Sequence, residues 1–333
     1  MRYADAMNRH ALVADAGGTN IRFALIDLED EAGIVLQTIH KYGSKNFRNI
    51  EDAAKTYLAD QGRRAPPTLA VFSVAGPVRD NAISMTNLGW NFSGETVGGA
   101  LGIAQVRLIN DYEAIARAIP ALAKDDLRDI GPRIDLKYGD RQTVAIVGPG
   151  TGLGVGGHVR EQHEMIPLVT EGGHADFAPA DNIEIEILKF LRKKLGHVSN
   201  ERVLSGPGLV NLHEALSVIE GAPSQRLDPH DITAEALANS NSLCGRVLSR
   251  FCAILGSAAG DVALTLGARD GVMLAGGILP AISDFFEHSE FRIRFEAKGR
   301  FETYMKSIPT RLIVNDNAGL MGAAALARSL VGG

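Results

Sequence analysis

ALVADAGGTNIRFALIDL, residues Ala11–Leu28, sets the architecture of the chain. Two apolar, strand-like runs flank a glycine turn, which is the pattern of a β-hairpin. The strand end carries a carboxylate, Asp15, and the turn carries Gly17, Gly18 and the hydroxyl of Thr19. A tight turn of this kind aims backbone N–H groups at an anion, so it holds phosphate without lysine or arginine. An ordinary hairpin turn has the same composition, and on this stretch alone the two readings are level. The pairing of motifs separates them. TVAIVGPGTGLGVGGHV, Thr143–Val159, repeats the architecture of strand, Gly/Thr turn (Gly148–Gly154) and strand in the second half of the chain. A third Gly-Gly turn, Gly276 with Gly277, follows a buried-strand pattern in GVMLAGGILP, Gly271–Pro280. Two such hairpins and a third turn predict a polyphosphate pinched between two domains.

Around these hairpins, 333 residues at roughly 150 per domain predict about two domains. The 34 Lys and Arg against 39 Asp and Glu give a net charge of -5 with no basic cluster, which argues against nucleic acid and anionic membrane as partners. Backbone amides need no basic patch, so the same charge does not argue against a nucleotide. The two cysteines, Cys244 and Cys252, lie in a helical pattern about 12 Å apart, too far for a disulfide, and read as small buried hydrophobes of a reducing compartment. The N-terminal MRYADAMNRH has no apolar core of a secretory signal, so the expected location is cytoplasmic. Phe251–Ala268 is the nearest approach to a membrane span, but Asp261 interrupts it, and a buried core helix is the better reading.

The remaining elements follow from periodicity. A strand is expected at Gly33–His40, a helix at Asn49–Gln61 and a strand at Thr68–Val74. VRLIND, Val106–Asp111, reads as a strand whose tip presents Asn110 and Asp111 before a helix that runs to Pro120. Helical faces are expected at Ile183, Ile187, Leu188, Leu191 and Leu195, and at Leu209, Leu212 and Leu216. The chain closes as strand then helix in TRLIVNDNAGLMGAAALARSL. Competing motifs fail. There is no G-x-x-x-x-G-K-[ST] string, and Gly152, Gly154 and Gly157 match G-x-G-x-x-G but lead into the strand-like HVREQHEMIPLV, where a dinucleotide fold needs a helix. His163-Glu164 and His213-Glu214 each begin H-E-x-x-H, with Pro167 and Ser217 in place of the second histidine. No G-x-S-x-G elbow is present.

Three polar constellations remain: NDYEA (Asn110–Ala114), TEGGHADFAP (Thr170–Pro179) and HVSNERVLSGPG (His197–Gly208). Asp111 at a strand end suits a general base that removes a proton from a hydroxyl, or else caps the following helix. Glu171, His174 and Glu201 supply acceptors and one ambivalent donor, suited to a neutral polyol.

These residues, read together, resemble the bacterial ATP-dependent glucokinases of the sugar kinase/heat-shock protein 70/actin superfamily. The likeness runs from about Leu12 to Ala327. It rests on LVADAGGTNIRFAL, SVAGPV, MTNLGWNFS, INDYEAIARAIP, GPGTGLGVG, EGGHADFAP, GHVSNERVLSGPGLVNL and AGGILP in the family's order. The resemblance implies a two-domain α/β, actin-like ATPase or hexokinase-type fold with ribonuclease H-like mixed sheets around a cleft. Its smaller domain would be 1–121 plus 312–333 and its larger one 122–311. It implies ATP and Mg2+, with Ala14, Asp15, Ala16, Gly17, Gly18 and Thr19 and then Gly148, Gly150, Thr151 and Gly152 at the phosphates. Gly276 and Gly277 would lie near the adenosine, and Asp15 would orient the metal's waters. Asn110, Asp111, Glu171, His174 and Glu201 correspond to the sugar set, with Asp111 as base for the 6-hydroxyl of glucose. Dimers are common in the family, so a homodimer is expected.

There are departures. Met1–His10 precede the first strand, and Pro149 stands in the second hairpin where a small residue is usual, removing one amide donor. The zinc-binding cysteine cluster of the related repressors is missing. The alternatives are a kinase for fructose, mannose or an N-acetylhexosamine, and a sugar sensor that keeps the fold without the activity.

Overall fold

A computed structural model describes residues 10–30, 34–62, 66–134, 140–162, 164–223 and 226–331. The described chain forms two units, one of the residues up to Lys124 with those from Asn315 onward, the other Asp125–Val314.

The first unit is built on β1 (His10–Ala16), β2 (Asn20–Asp27), β3 (Leu36–Gly43), β4 (Leu69–Val74), a ribbon of β5 (Ala82–Met85) and β6 (Trp90–Ser93), and β7 (Gln105–Asn110). The main sheet has the order β3-β2-β1-β4-β7, with antiparallel pairing through β3, β2 and β1 and parallel pairing through β1, β4 and β7. Alternation along the strands feeds two cores. Leu12, Ala14, Phe23, Leu25, Ala70 and Phe72 face the helices Ile50–Asp60 and Gly94–Leu101, while Ala11, Val13, Ala24, Ile26 and Val71 face Leu320, Ala323 and Ala327 of the helix Ala318–Ser329. The third strand starts three residues later than the pattern predicts, and Gly33 lies outside the described residues.

The second unit contains β8 (Leu127–Asp129), β9 (Arg141–Pro149), β10 (Leu153–Glu161), β11 (Glu164–Val169), β12 (Val272–Leu274) and β13 (Thr310–Ile313). Its order is β11-β10-β9-β12-β13-β8, so an antiparallel trio runs into two parallel strands as in the first unit, with β8 added antiparallel at the edge. The duplication read from the two glycine hairpins is therefore a duplication of sheet topology. The strand β11 occupies the stretch where a dinucleotide fold would need a helix; His163 lies outside the described residues.

The core of this unit sits under the helices Asn182–Leu195, Gly206–Ile219, Pro229–Ala238 and Leu243–Leu266. Leu243–Leu266 is long and apolar enough to cross a membrane, yet Phe251, Cys252, Ile254 and Leu255 are buried and the helix serves as the core's central rod. Ile187 and Leu191 face inward as expected, but Ile183 is 44% exposed. It lies in the first turn, where Asp181 caps the helix by accepting from Glu184 N, and the buried stripe begins one turn later.

Candidate functional site

In the first unit the site residues gather at the carboxyl ends of the parallel strands, the usual ligand edge of such sheets. Asp15 on β1 lies opposite Arg22 on β2 and Ser73 on β4. Its carboxylate accepts from Ser73 Oγ at 3.3 Å and faces the Arg22 guanidinium at 3.7 Å. Burial pushes its pKa above the usual carboxylate range, while Arg22 and Ser73 act in the opposite sense. The first turn of the helix Ala318–Ser329 presses on it at Gly319, where a Cβ would stand 2.7 Å from Asp15 Cγ. The hairpin tip is closed by Gly17 N donating to Asn20 O at 2.9 Å. Ser44 holds it from outside: its N donates to Thr19 O and its Oγ to Gly17 O, both at 2.9 Å. The amides of Gly18 and Thr19 have no backbone acceptor among the described residues. Ala14 and Ala16 are fully buried strand residues that fix the tip through the ladder.

Asn110 ends β7 and Asp111 opens the helix Asp111–Ala118, one residue earlier than the strand-tip reading has it. The capping role falls to Asn110, whose Oδ1 accepts from Tyr112 N at 2.9 Å and Glu113 N at 3.3 Å. Its Nδ2 donates to Gly76 O at 3.0 Å, which leaves the second amide hydrogen for a ligand. Asp111 Oδ1 accepts a second, longer contact from Tyr112 N, at 3.1 Å. The helix is seated by Gly322, whose Cβ position is taken up by Ala114 O.

In the second unit, the β9–β10 tip is closed by Gly150 N donating to Gly152 O at 2.8 Å. As in the first hairpin, two successive amides, here Thr151 and Gly152, have no backbone acceptor among the described residues. Pro149 pairs with Leu153 in the ladder, outside this pair of amides, so its missing N–H leaves them intact. Gly276, at φ 86°, lies where any side chain would strike Pro149 O, and Gly277 N is 3.9 Å from the Cβ position of Gly150. The turn after β12 therefore packs on the hairpin backbone.

The residues of this unit expected to meet the sugar lie on two segments beside the same tip. Glu171 and His174 are exposed; Glu171 precedes the short turn Gly172–His174 and His174 ends it. Thr170 Oγ1 donates to Val155 O at 2.7 Å, which staples that turn to β10. Asn200 N donates to Ala175 O at 2.8 Å, bringing the Glu201 segment alongside. Glu201 Oε2 accepts from Leu153 N at 3.0 Å, and Gly206 N donates to Gly150 O at 2.8 Å.

The sequence alone does not single out Arg22, Ser73 or Gly319 around Asp15, Ser44 at the hairpin tip, or the Leu153 amide beside Glu201. Arg22 has a signal, because hairpin register places it opposite Asp15. The others are tertiary contacts with no local signature. As a donor for a hard cation, the single fixed carboxylate of Asp15 suits Mg2+ that keeps its waters and its phosphate ligands.

With this geometry in place, the family model for glucokinase matches residues 12–330. The chain belongs to the glucokinase family. It is 49% identical to the glucokinase of Caulobacter sp. (strain K31), over 94% of this chain and 93% of that protein. It is 43% identical to the glucokinase of Stenotrophomonas maltophilia (strain R551-3), over 97% and 96%. The crystal structure of a glucokinase from an Antarctic psychrotroph superposes with a TM-score of 0.84 at 36% identity, over 96% of this chain and 99% of that one. The fold is accordingly the two-domain hexokinase type expected from the resemblance.

Proposed function

We propose that the chain transfers the γ-phosphoryl group of ATP to the 6-hydroxyl of D-glucose, giving glucose 6-phosphate and ADP. It is an ATP-dependent hexose kinase. The observation that carries the reading is the repeated hairpin tip with two successive amides that have no backbone acceptor among the described residues, at Gly18-Thr19 and at Thr151-Gly152, each beside carboxylates on fixed backbone. Amides so arranged bind phosphate oxygens, and phosphoryl transfer asks mainly for positioning and charge stabilisation.

Asn110, Glu171, His174 and Glu201 hold the sugar hydroxyls. Asp111 takes the proton of the 6-hydroxyl as O6 forms its bond to the γ-phosphorus and the bond to the β,γ-bridging oxygen breaks, leaving ADP. Ala14 to Thr19 and Gly148 to Gly152 form the phosphate turns, with Gly276 and Gly277 toward the adenosine. Mg2+ would be held by the phosphates and, through water, by Asp15, where it neutralises negative charge. The reading includes a cytoplasmic enzyme at the entry of glycolysis that acts as a homodimer.

The test is a matrix of purified protein with ATP and other nucleoside triphosphates against glucose, fructose, mannose and N-acetylhexosamines, scored by product formation. The highest kcat/KM is expected for ATP with glucose. A higher value for another hexose moves the substrate assignment, and binding of both ligands without turnover makes the protein a sensor.

A further inference from the structure

Gly152 falls in the phosphate turn by sequence, yet the space beside its Cα is filled from the sugar side. Its φ is not in the left-handed region, so the backbone there accepts any residue. A methyl group built on it would overlap Glu201 Oε2 and lie 3.3 Å from Glu201 Cδ. The carboxylate occupies the place where a side chain would be, and from there it accepts the Leu153 amide at 3.0 Å. The same two segments are tied once more, by Gly206 N donating to Gly150 O at 2.8 Å. Within its own segment, Ser205 Oγ donates to Glu201 O at 2.7 Å.

We propose that Gly152 is a positioning residue for the acceptor sugar, and that the Glu201 carboxylate it admits couples sugar binding to nucleotide binding by bridging to the backbone of the phosphate turn. The inference rests on the reading of Glu201 as a sugar ligand and of Gly148–Gly152 as a phosphate turn. A carboxylate offers about four acceptor positions, so Glu201 can take the Leu153 N–H and sugar hydroxyls together. Sugar hydroxyls that fix the carboxylate also fix Leu153, and with it the turn whose Thr151 and Gly152 amides face the phosphates. The turn is then ordered before the nucleotide arrives, and the second ligand to bind loses less freedom. Coupling of this kind is reciprocal: the factor by which sugar tightens nucleotide equals the factor by which nucleotide tightens sugar.

The experiment measures calorimetric Kd values of the full chain for glucose and for a non-hydrolysable ATP analogue with Mg2+, each alone and with the other saturating. It compares wild type with Gly152→Ala, Glu201→Ala and Glu201→Gln. Wild type is expected to show reciprocal tightening of about fivefold or more, the lower range of typical allosteric coupling. Gly152→Ala should weaken glucose at least tenfold and reduce coupling to less than twofold, a loss of glucose affinity clearly larger than the loss of nucleotide affinity measured without sugar, with the melting temperature nearly unchanged. Glu201→Gln keeps an oxygen for the Leu153 amide and should retain most of the coupling, whereas Glu201→Ala should lose it.

Absence of coupling in wild type overturns the proposal. So does Gly152→Ala with wild-type glucose affinity, or with nucleotide affinity lost as steeply as sugar affinity, which would return the glycine to the phosphate. If Glu201→Ala weakens glucose but leaves coupling intact, only this inference fails. If Glu201→Ala binds glucose as wild type does, the underlying reading of Glu201 fails with it. The Glu201 variants decide the matter even where Gly152→Ala does not fold.

Discussion

Replacing Gly319 by alanine tests whether Asp15 works from one fixed position. The new Cβ would stand 2.7, 2.8 and 2.9 Å from Asp15 Cγ, Oδ1 and Oδ2. Carbon contacts settle near 3.5 Å, so the carboxylate or the helix must retreat by roughly 0.8 Å. The carboxylate is flanked by Ser73 Oγ at 3.3 Å and the Arg22 guanidinium at 3.7 Å, and moving it loosens both. Overpacking of this kind costs about 1–3 kcal/mol, offset by about 0.5–1 kcal/mol for alanine over glycine inside a helix. The net loss, about 1–2 kcal/mol, lowers the melting temperature by a few degrees and leaves the protein folded. Activity suffers more, because a displacement near 1 Å at a reacting site costs on the order of 10²-fold in rate. A coupled assay of ADP release gives kcat and both KM values, and calorimetry gives the melting temperature. In an Asp15→Ala background the space is vacant, so adding Gly319→Ala should change kcat less than twofold, a strongly non-additive cycle. A folded Gly319→Ala protein with near-wild-type kcat, or an equal penalty in both backgrounds, would show that Asp15 is not held in place by this glycine.

Other outcomes follow from the same structure. Burial raises the Asp15 pKa, so its ionised form is disfavoured in the fold; its contribution to stability is full below about pH 3.8 and is lost as pH rises through the raised value. Asp15→Asn should therefore raise the melting temperature at pH 7 while abolishing turnover, and a lowered melting temperature contradicts this. His158 on β10 is buried with no partner for Nδ1 among the described residues, and burial first, then Arg160, push it down to about 4 against an opposing pull from Asp270. The unfolded chain then binds a proton that the fold does not, so stability falls by about 2 kcal/mol between pH 7 and pH 5. In urea titrations His158→Leu should remove that portion of the pH dependence, and an unchanged slope counts against the assignment. Gly322→Ala must push its helix away from Ala114 O, and should cost about 1–3 kcal/mol and lower kcat through Asp111. Urea midpoints and kcat measured on one preparation check both effects.

The hairpins are legible in the sequence because period-two apolar runs closed by Gly-Gly or Gly-Thr turns admit few other structures, and their repetition announces the two matching sheets. The helix Gly94–Leu101 is not legible in the same way. Its GETVGGAL composition argues against helix, but a Ser93–Thr96 capping box starts it, and Gly94 and Gly98 let it lie close against Val106 O and Ile103 O. The strand-tip reading puts Asp111 in the strand where it opens the helix, although Asn110, a favoured capping residue, carries the signal for the earlier boundary. The contacts of Glu201 with Leu153 and of Asp15 with Gly319 join residues far apart in sequence, and no local pattern encodes such pairs.

Whether Asp111 is the base of a glucose 6-phosphotransferase is answered by single-turnover formation of glucose 6-phosphate from ATP, compared between wild type and Asp111→Asn. Wild type should form product, and the variant should do so at a rate lower by about 10²–10⁴-fold with glucose still bound. Equal rates in the two proteins would contradict the assignment.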